Sequence, residues 1–381
     1  MIMAASARTL WIRQDRVEYP VVVGEGVLDE LSAHLASDPP RGTGLVPSPE
    51  VPHVLFTDAT VNALYGDRVE ALLRAWGLEV LRVVVPAGEA SKSLAAYERA
   101  VGEMLRGGAG RKSVLFALGG GVVGDLGGFV AATYMRGIAF VQLPTTILAH
   151  DSAVGGKVGI DHPLAKNALG AFAFPRAVLY DTALLRTLPP REVRSGLAEI
   201  VKHAFLAGEE YVSFLEAEAE RIAALEPGAL AEALLRGIAV KADVVSRDPY
   251  ETRGIREILN LGHTVGHALE TLGGYQTFLH GEAVALGLAV ESRIAERLGI
   301  LASCVRGRLE ALLARFGFDL RWPEGEAYDP ASVVRVMLRD KKNVRRKIRF
   351  VFLADLGKTE FRELDPEGAE AHLRAVLREG A

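Results

Sequence analysis

Between residues 53 and 182 short β-rich apolar runs alternate with longer helical patterns, and this alternation restricts the fold more than any other feature of the chain. The strands read from it are VLFTD, LRVVVP, SVLFALGGG, IAFVQLPTT and AVLYDT, with YPVVVG (19–24) ahead of them. Helical patterns fall near 60–76, 92–107 and 125–136. Strands that take turns with helices imply a mostly parallel sheet covered on both faces. After Pro189-Pro190 the strand signals stop, apart from KIRFVFLADLG near the end, and Ala/Leu/Glu/Arg-rich helical patterns take over. The expectation is an α/β domain over 1–188, of doubly wound Rossmann-like type, followed by an all-α or mostly helical domain over 189–381.

Composition closes off several function classes. A net charge of −4 gives no basic field for nucleic acid. No apolar stretch approaches the length of a membrane span, and the start has no signal-peptide core, so a cytoplasmic location is expected. Cys304 is the only cysteine, which rules out a disulfide framework within the chain. It sits in the helical run ILASCVRGRLEALLARF and is read as buried packing. Only ten of the 44 basic residues are lysines, and none occurs before Lys92. Arg therefore serves wherever a generic positive charge will do, and each remaining lysine is a candidate for a place that needs a compact ammonium.

Gly119, Gly120 and Gly121 open GGGVVGD (119–125) between an apolar strand and a helix. Glycines there let backbone N–H groups approach a pyrophosphate, although a tight strand–helix turn explains them equally well. PAGEASK (86–92) brings Glu89 and Lys92 to the end of a strand, and Thr145-Thr146 end another. Open α/β sheets bind ligands at such ends; helix capping is the plainer account of the threonines. HDSAVGGKVGIDHPLAKN (150–167) reads as a long polar loop with Asp151, Lys157, Lys166 and Asn167. Packing does not explain it, and lysines beside Gly-rich backbone suit phosphate or carboxylate.

In the second half, Glu199, Lys202 and His203 share one face of a helix that is apolar on most sides, so Glu199 is expected to be buried and to need a cation. His263 and His267 lie four apart on one helix face, and His280 opens the next helix. Glu199, His263 and His280 would form a Glu/His/His metal site with an open position. That would leave His267 for proton transfer. Ordinary packed or solvated histidines are the alternative. Lys241, the pair Arg256 and Asn260, and Lys341-Lys342 in LRDKKN add cations and amides; a solvated basic face accounts for the last pair as well.

Taken together, GGGVVGDLGGF, QLPTTILAHDSAVGGK, HPLAKN, TLPPRE, SGLAEIVKH, LNLGHTVGHALE, HGEAVALG and RDKK resemble the 3-dehydroquinate synthase family over nearly the whole chain. The resemblance implies an NAD-binding domain, a helical domain and an active site between them. It implies Glu199, His263 and His280 as ligands of zinc, or of cobalt in its place. It implies NAD contacts at Asp58, Glu89, Lys92, Gly119, Gly120, Gly121, Val122, Asp125, Thr145, Thr146, Lys157, Lys166, Thr187 and Leu188. The implied substrate-binding and catalytic set is Asp151, Lys157, Asn167, Lys202, Lys241, Arg256, Asn260, His267 and Lys341 (or Lys342). Arg136, in the YMRG turn, is similar to a residue that reaches substrate phosphate across a homodimer interface. The sequence departs from the family pattern at Thr60, where Asn is common, and at Ala165, where Gly is usual. PYETRGIR is also one residue longer than usual before Arg256, which bears on the role of Glu251.

The family reaction converts 3-deoxy-D-arabino-heptulosonate 7-phosphate (DAHP) to 3-dehydroquinate and phosphate, in the shikimate route to aromatic amino acids. It runs through transient oxidation by NAD+, β-elimination of phosphate, re-reduction and intramolecular aldol closure. Two other readings remain open: a metal- and NAD-dependent polyol dehydrogenase of the glycerol type, and a different sugar-phosphate cyclase. The lysine-bearing segment 150–167 weighs against the first, and Arg256 with Asn260 weighs against the second.

Overall fold

The segment Val114–Gly119 explains why the first half of the chain makes a sheet. All of its residues are buried. Leu115 and Ala117 belong to one apolar cluster, while Val114, Phe116 and Leu118 belong to another. Alternate side chains of a strand point to opposite faces, so both faces of this strand need a cover. The computed structural model, which describes residues 7–14, 17–37, 42–338 and 347–379, provides it.

The strands are β1 (Arg8–Gln14), β2 (Val17–Gly24), β3 (His53–Asp58), β4 (Val80–Val85), β5 (Val114–Gly119), β6 (Ala139–Pro144), β7 (Lys157–His162), β8 (Ala165–Phe172) and β9 (Ala177–Asp181). Seven of them form one sheet in the order β1-β2-β9-β6-β5-β3-β4, parallel except for β1, which pairs antiparallel with β2. The helices through this part are α1 (Leu31–Ala36), α2 (Ala59–Val61), α3 (Asp67–Ala75), α4 (Leu94–Arg106), α5 (Gly121–Thr133) and α6 (Ala149–Ser152). Helix α3 buries Val69 and Leu73 in one cluster, and α5 buries Val123, Leu126 and Val130 in the other. The helices that follow the neighbouring strands β3 and β5 thus cover opposite faces. Open sheets of this kind take ligands beyond the carboxyl ends of the strands at such a reversal.

The second part contains α7 (Pro190–Ala207), α8 (Glu209–Ala223), α10 (His263–Leu272), α11 (His280–Arg297), α12 (Ser303–Arg315), α13 (Pro330–Met337) and α14 (Pro366–Glu379), while α9 (Pro227–Arg247) runs between α8 and α10 in the chain. A hairpin of β10 (Ile348–Asp355) and β11 (Lys358–Leu364) is its only sheet among the described residues. No helix among the described residues is long and apolar enough to cross a membrane.

Compact units are Met1–Leu188 with Leu230–Thr252, and Pro189–Ala229 with Arg253–Ala381. The chain therefore returns to its first unit through most of α9, which a single cut at 188/189 does not anticipate. Other expectations also change. The stretch 150–167 is not an open loop: it is α6 followed by the β7–β8 hairpin, in which Val158 and Ile160 pack into the core. Helix α5 begins at Gly121, four residues before the expected 125, so Gly119 ends β5, Gly120 is the N-cap and Gly121 is the first helical residue. Cys304 is exposed on the first turn of α12, not buried. Lys341 and Lys342 lie outside the described residues.

Candidate functional site

In the second unit, α7, α10 and α11 each deliver one side chain to the same point. Pro190 starts α7, where a missing N–H costs nothing, and the helix carries Glu199 inward until it is 1% exposed. Oε1 of Glu199 lies 3.2 Å from Nε2 of His263 and 3.1 Å from Nε2 of His280. Its other oxygen meets the Lys202 ammonium one turn along. Burial alone would raise the Glu199 pKa, but Lys202 and His263 outweigh it and hold the carboxyl well below the usual range.

The tautomers of the rings follow from their second contacts. Nδ1 of His263 is 3.0 Å from the Leu261 carbonyl. A carbonyl only accepts, so this nitrogen carries the proton and donates it. Nδ1 of His280 is 3.2 Å from the Glu270 carboxylate, with the same consequence. With Nδ1 engaged, Nε2 is the atom that each ring would offer a metal once that nitrogen carries no proton, and each ring is braced from behind, as metal-ligating histidines usually are. Burial, opposed by Glu199, brings the His263 pKa down to about 4. For His280 burial works against the charge, but Glu199 and Glu270 outweigh it and raise the pKa to about 10. The ring of His267 stands 5.1 Å from that of His263 and 6.1 Å from that of His280.

Glu199, His263 and His280 offer ligand atoms that all lie within 4.8 Å of one another, and so do His267, Glu270 and His280. One carboxylate and two braced imidazoles suit a zinc-like ion with an open position, so the donor set fits. The first trio matches the tautomers; in the second, Glu270 already accepts from Nδ1 of His280. Arg256 is buried at 4% exposure, on the short helix Ile255–Asn260 that ends at Asn260.

Glu270 and Glu291 were missed by sequence reasoning. Both carried a legible signal: a carboxylate within a largely apolar helical run, the same pattern that drew attention to Glu199.

In the first unit, Lys92 is a hub. Its Nζ is 2.8 Å from Oδ2 of Asp125 and 2.6 Å from Oδ1 of Asn167, and Glu89 lies 4.0 Å away. Burial disfavours the charge on Lys92, yet Asp125 and Glu89 outweigh it and hold its pKa above the ordinary lysine value. For Asp125 burial dominates and raises the pKa despite Lys92. Lys166 pairs with Glu89 at 3.1 Å. Residues expected on the cofactor side thus collect around Lys92 together with Asn167, which was expected beside the substrate.

At the end of β5 the helix α5 starts without a side-chain cap. A Cβ on Gly120 would come within 2.9 Å of the Thr146 side chain, so the backbone there is open only because it is glycine. The hydroxyls of Thr145 and Thr146 are buried and have no partner among the described residues. Uncapped N–H groups beside two orphan hydroxyls fit a pyrophosphate, and with it a dinucleotide such as NAD. Asp58 caps α2, accepting from the N–H groups of Thr60 (2.8 Å) and Val61 (3.0 Å). Thr187 shares a hydrogen bond with Tyr65 at 2.7 Å. Val122, on the first turn of α5, and Leu188, which ends the short helix Thr182–Thr187, take positions beside these groups in sequence.

Two further pairs lie in this unit. Asp151 and Lys241 are 2.8 Å apart, although they are far apart in sequence, because residues 230–252 return to it. Lys157 pairs with Glu251 at 2.5 Å, with the lysine side chain 53% exposed. Arg136 is exposed on a turn in which it and Met135 both have positive φ.

Residues 82–195 match the family model for the 3-dehydroquinate synthase N-terminal region, and 196–343 match that for the C-terminal region. The 3-dehydroquinate synthase of Geobacillus kaustophilus (strain HTA426) is 45% identical over 363 residues, 95% of this chain and 96% of that one. The solved 2-epi-5-epi-valiolone synthase of Streptomyces hygroscopicus subsp. jinggangensis 5008, with NAD+ and Zn2+ bound, superposes with a TM-score of 0.83 at 26% identity, covering 97% of this chain and 99% of that one. A 2-deoxy-scyllo-inosose synthase complexed with carbaglucose-6-phosphate, NAD+ and Co2+ has the same fold, with a TM-score of 0.83 at 24% identity and coverage of 97% and 99%. A probable glycerol dehydrogenase from Sinorhizobium meliloti 1021 is more distant, at a TM-score of 0.63 and 16% identity over 93% of this chain and 95% of that one. With both halves matched and identity this high over almost the full length, the chain belongs to the 3-dehydroquinate synthase family.

Proposed function

We propose that this chain carries out the reaction of its family, taking DAHP to 3-dehydroquinate and phosphate, with NAD and one divalent ion, zinc or cobalt. The observation that carries the proposal is the convergence of Glu199 Oε1 with Nε2 of His263 and of His280 at 3.2 and 3.1 Å. Those three side chains would hold the ion, and the uncapped turn at Gly119–Gly121 with Thr145, Thr146 and Asp125 would hold NAD. When bound, NAD supplies reversible hydride transfer and the ion supplies Lewis acidity at the reacting oxygen.

The chain itself supplies charge, orientation and proton handling. DAHP bears a phosphate and a carboxylate, whereas the chain is net negative at −4. In this reading Lys157 and Lys241 of the first unit and Lys202 and Arg256 of the second supply the opposite sign to the substrate, and Lys341 is assigned the same role from the family resemblance. Arg256 offers the planar fork that matches a carboxylate. Its burial at 4% exposure gives such a contact a low-dielectric setting. Asp151 holds Lys241 in place through the 2.8 Å pair. His267 moves the proton at the substrate oxygen, because its ring stands beside both ligating rings without occupying the Glu199 oxygen. Arg136 is assigned to a phosphate contact in a second copy, which makes a homodimer part of the proposal. A cytoplasmic location is also part of it, supported by the single cysteine.

The test mixes purified protein with NAD+, a divalent metal and DAHP and follows phosphate, 3-dehydroquinate and NADH. Equal release of phosphate and 3-dehydroquinate with no accumulation of NADH is the expected result. Steady NADH formation from small polyols without phosphate release would identify a dehydrogenase instead.

A further inference from the structure

We infer that Glu291 is a positioning residue for the metal centre: from α11 it caps the helix that carries His263. The inference rests on the metal reading above, and nothing in that reading assigns Glu291 a role. Gly262, the residue before α10, has φ of +77°, and a Cβ on it would come within 2.6 Å of the Leu288 side chain. Only glycine fits, and glycine has no side chain with which to cap. A helix start without a cap leaves its first N–H groups without acceptors.

Glu291 supplies what Gly262 lacks. Its Oε1 accepts from the Val265 N–H at 2.8 Å, and its Oε2 accepts from the Gly262 N–H at 3.0 Å. Those are the two N–H groups that a capping box satisfies within its own helix. Here one carboxylate from a different helix does both. The carboxylate is 1% exposed and sits at the positive end of the α10 dipole, where an anion is favoured.

The geometric consequence concerns His263 and His280. His263 is the first residue of α10, directly after Gly262. His280 is the first residue of α11, and Glu291 lies eleven residues further on, close to three full turns and so on the same face. A single rigid helix therefore bears one imidazole and also clamps the backbone beside the other. The helices meet backbone to backbone next to this clamp: a Cβ on Gly287 would come within 2.0 Å of the Gly262 carbonyl. The clamp fixes the register of α10 on α11, and that register sets the distance between the two ring nitrogens.

The experiment uses the full chain and three measurements on each protein: metal affinity by competition with a chelator, visible absorption at saturating Co2+, and the thermal midpoint without metal. Glu291→Gln removes the charge and one of the two acceptors. It should weaken Co2+ and Zn2+ binding by about tenfold or more, in the range seen for outer-shell partners of metal sites, and shift the cobalt absorption bands. Leu309→Ala, a buried position on α12, serves as the control for stability alone; it should lower the midpoint with affinity and cobalt spectrum unchanged. Should Glu291→Gln not fold, Glu291→Asp keeps the charge but withdraws the carboxylate by one methylene, and the same readouts apply. Wild-type affinity and spectrum in the Glu291 variant would overturn the inference, as would equal losses in the Leu309 control. Failure of the wild-type chain to take up metal would instead refute the metal reading, and this inference with it.

Discussion

Replacing Gly281 with alanine should dismantle the metal centre by adding one methyl group that touches no ligand. The Gly281 N–H donates to Oγ of Ser195 at 3.0 Å, which joins α11 to α7. A Cβ at residue 281 would stand 1.8 Å from the Ser195 carbonyl oxygen and 2.5 Å from its carbon. Ordinary contact begins near 3.4 Å, so the two backbones would have to part by about 1.6 Å, roughly eight times the ~0.2 Å tolerance of metal–ligand distances. Both obstructing atoms are backbone, so no side-chain rotation relieves the clash. His280 is the residue before Gly281, and Glu199 is one turn after Ser195, so the separation acts on the gap between two ligands. Overpacking of this kind costs about 1–3 kcal/mol, while the displaced ligand should cost nearly all metal. The assay is metal content per chain after dialysis, with thermal unfolding in the presence and absence of a chelator. Gly307→Ala on the exposed face of α12, where a Cβ meets nothing within 4 Å, is the paired control and should gain about 0.5–1 kcal/mol. A Gly281→Ala protein that holds metal as tightly as wild type, with an unchanged midpoint, would refute the reasoning.

Glu270→Gln should weaken metal binding by about 10–100-fold, because it takes the charge from the group behind His280 Nδ1; unchanged affinity in chelator competition would remove that role. Lys157→Ala should abolish turnover yet shift stability by no more than about 1 kcal/mol, since the Lys157–Glu251 pair is largely exposed; near-normal turnover would overturn the assignment. Arg308 holds the Glu209 carboxyl down to about 2. A carboxyl with a depressed pKa adds stability above its unfolded value and loses it as pH falls through the folded one. The midpoint gap between wild type and Arg308→Ala should therefore be full at neutral pH and close as the pH falls from the ordinary carboxylate range toward 2. A gap that widens on acidification would contradict the pairing.

The sequence made the parallel sheet legible because β3, β5, β6 and β9 are buried along nearly their full length, and such strands leave compact apolar runs. It misled at 150–167, where Gly and Lys suggested a loop. In the β7–β8 hairpin only Val158 and Ile160 face the core strongly, and glycines at 159 and 170 allow the two backbones to approach, since a Cβ on either would strike a facing carbonyl at 2.7 or 2.6 Å. A pattern of that kind reads as polar. The return of 230–252 to the first unit was not legible, because α9 is helical wherever it packs. In the candidate site, Glu199 and the histidines could be read from the conflict between an ionisable group and an apolar helix. The same conflict at Glu270 and Glu291 went unused, because the partners that explain them are ring nitrogens and helix-start N–H groups, which no residue pattern displays. Cys304 was misread because an apolar run suggests burial, although its place on the first turn of α12 turns it to solvent.

Two overlapping groups share His280, and a metal can choose only one of them on the present account. The direct measurement is anomalous diffraction at the zinc edge from crystals grown with zinc, which locates the ion and its ligand atoms. One peak bound by a Glu199 oxygen, His263 Nε2 and His280 Nε2 is the expected result. A peak bound by His267, Glu270 and His280 Nδ1, or no peak near these helices, would contradict it.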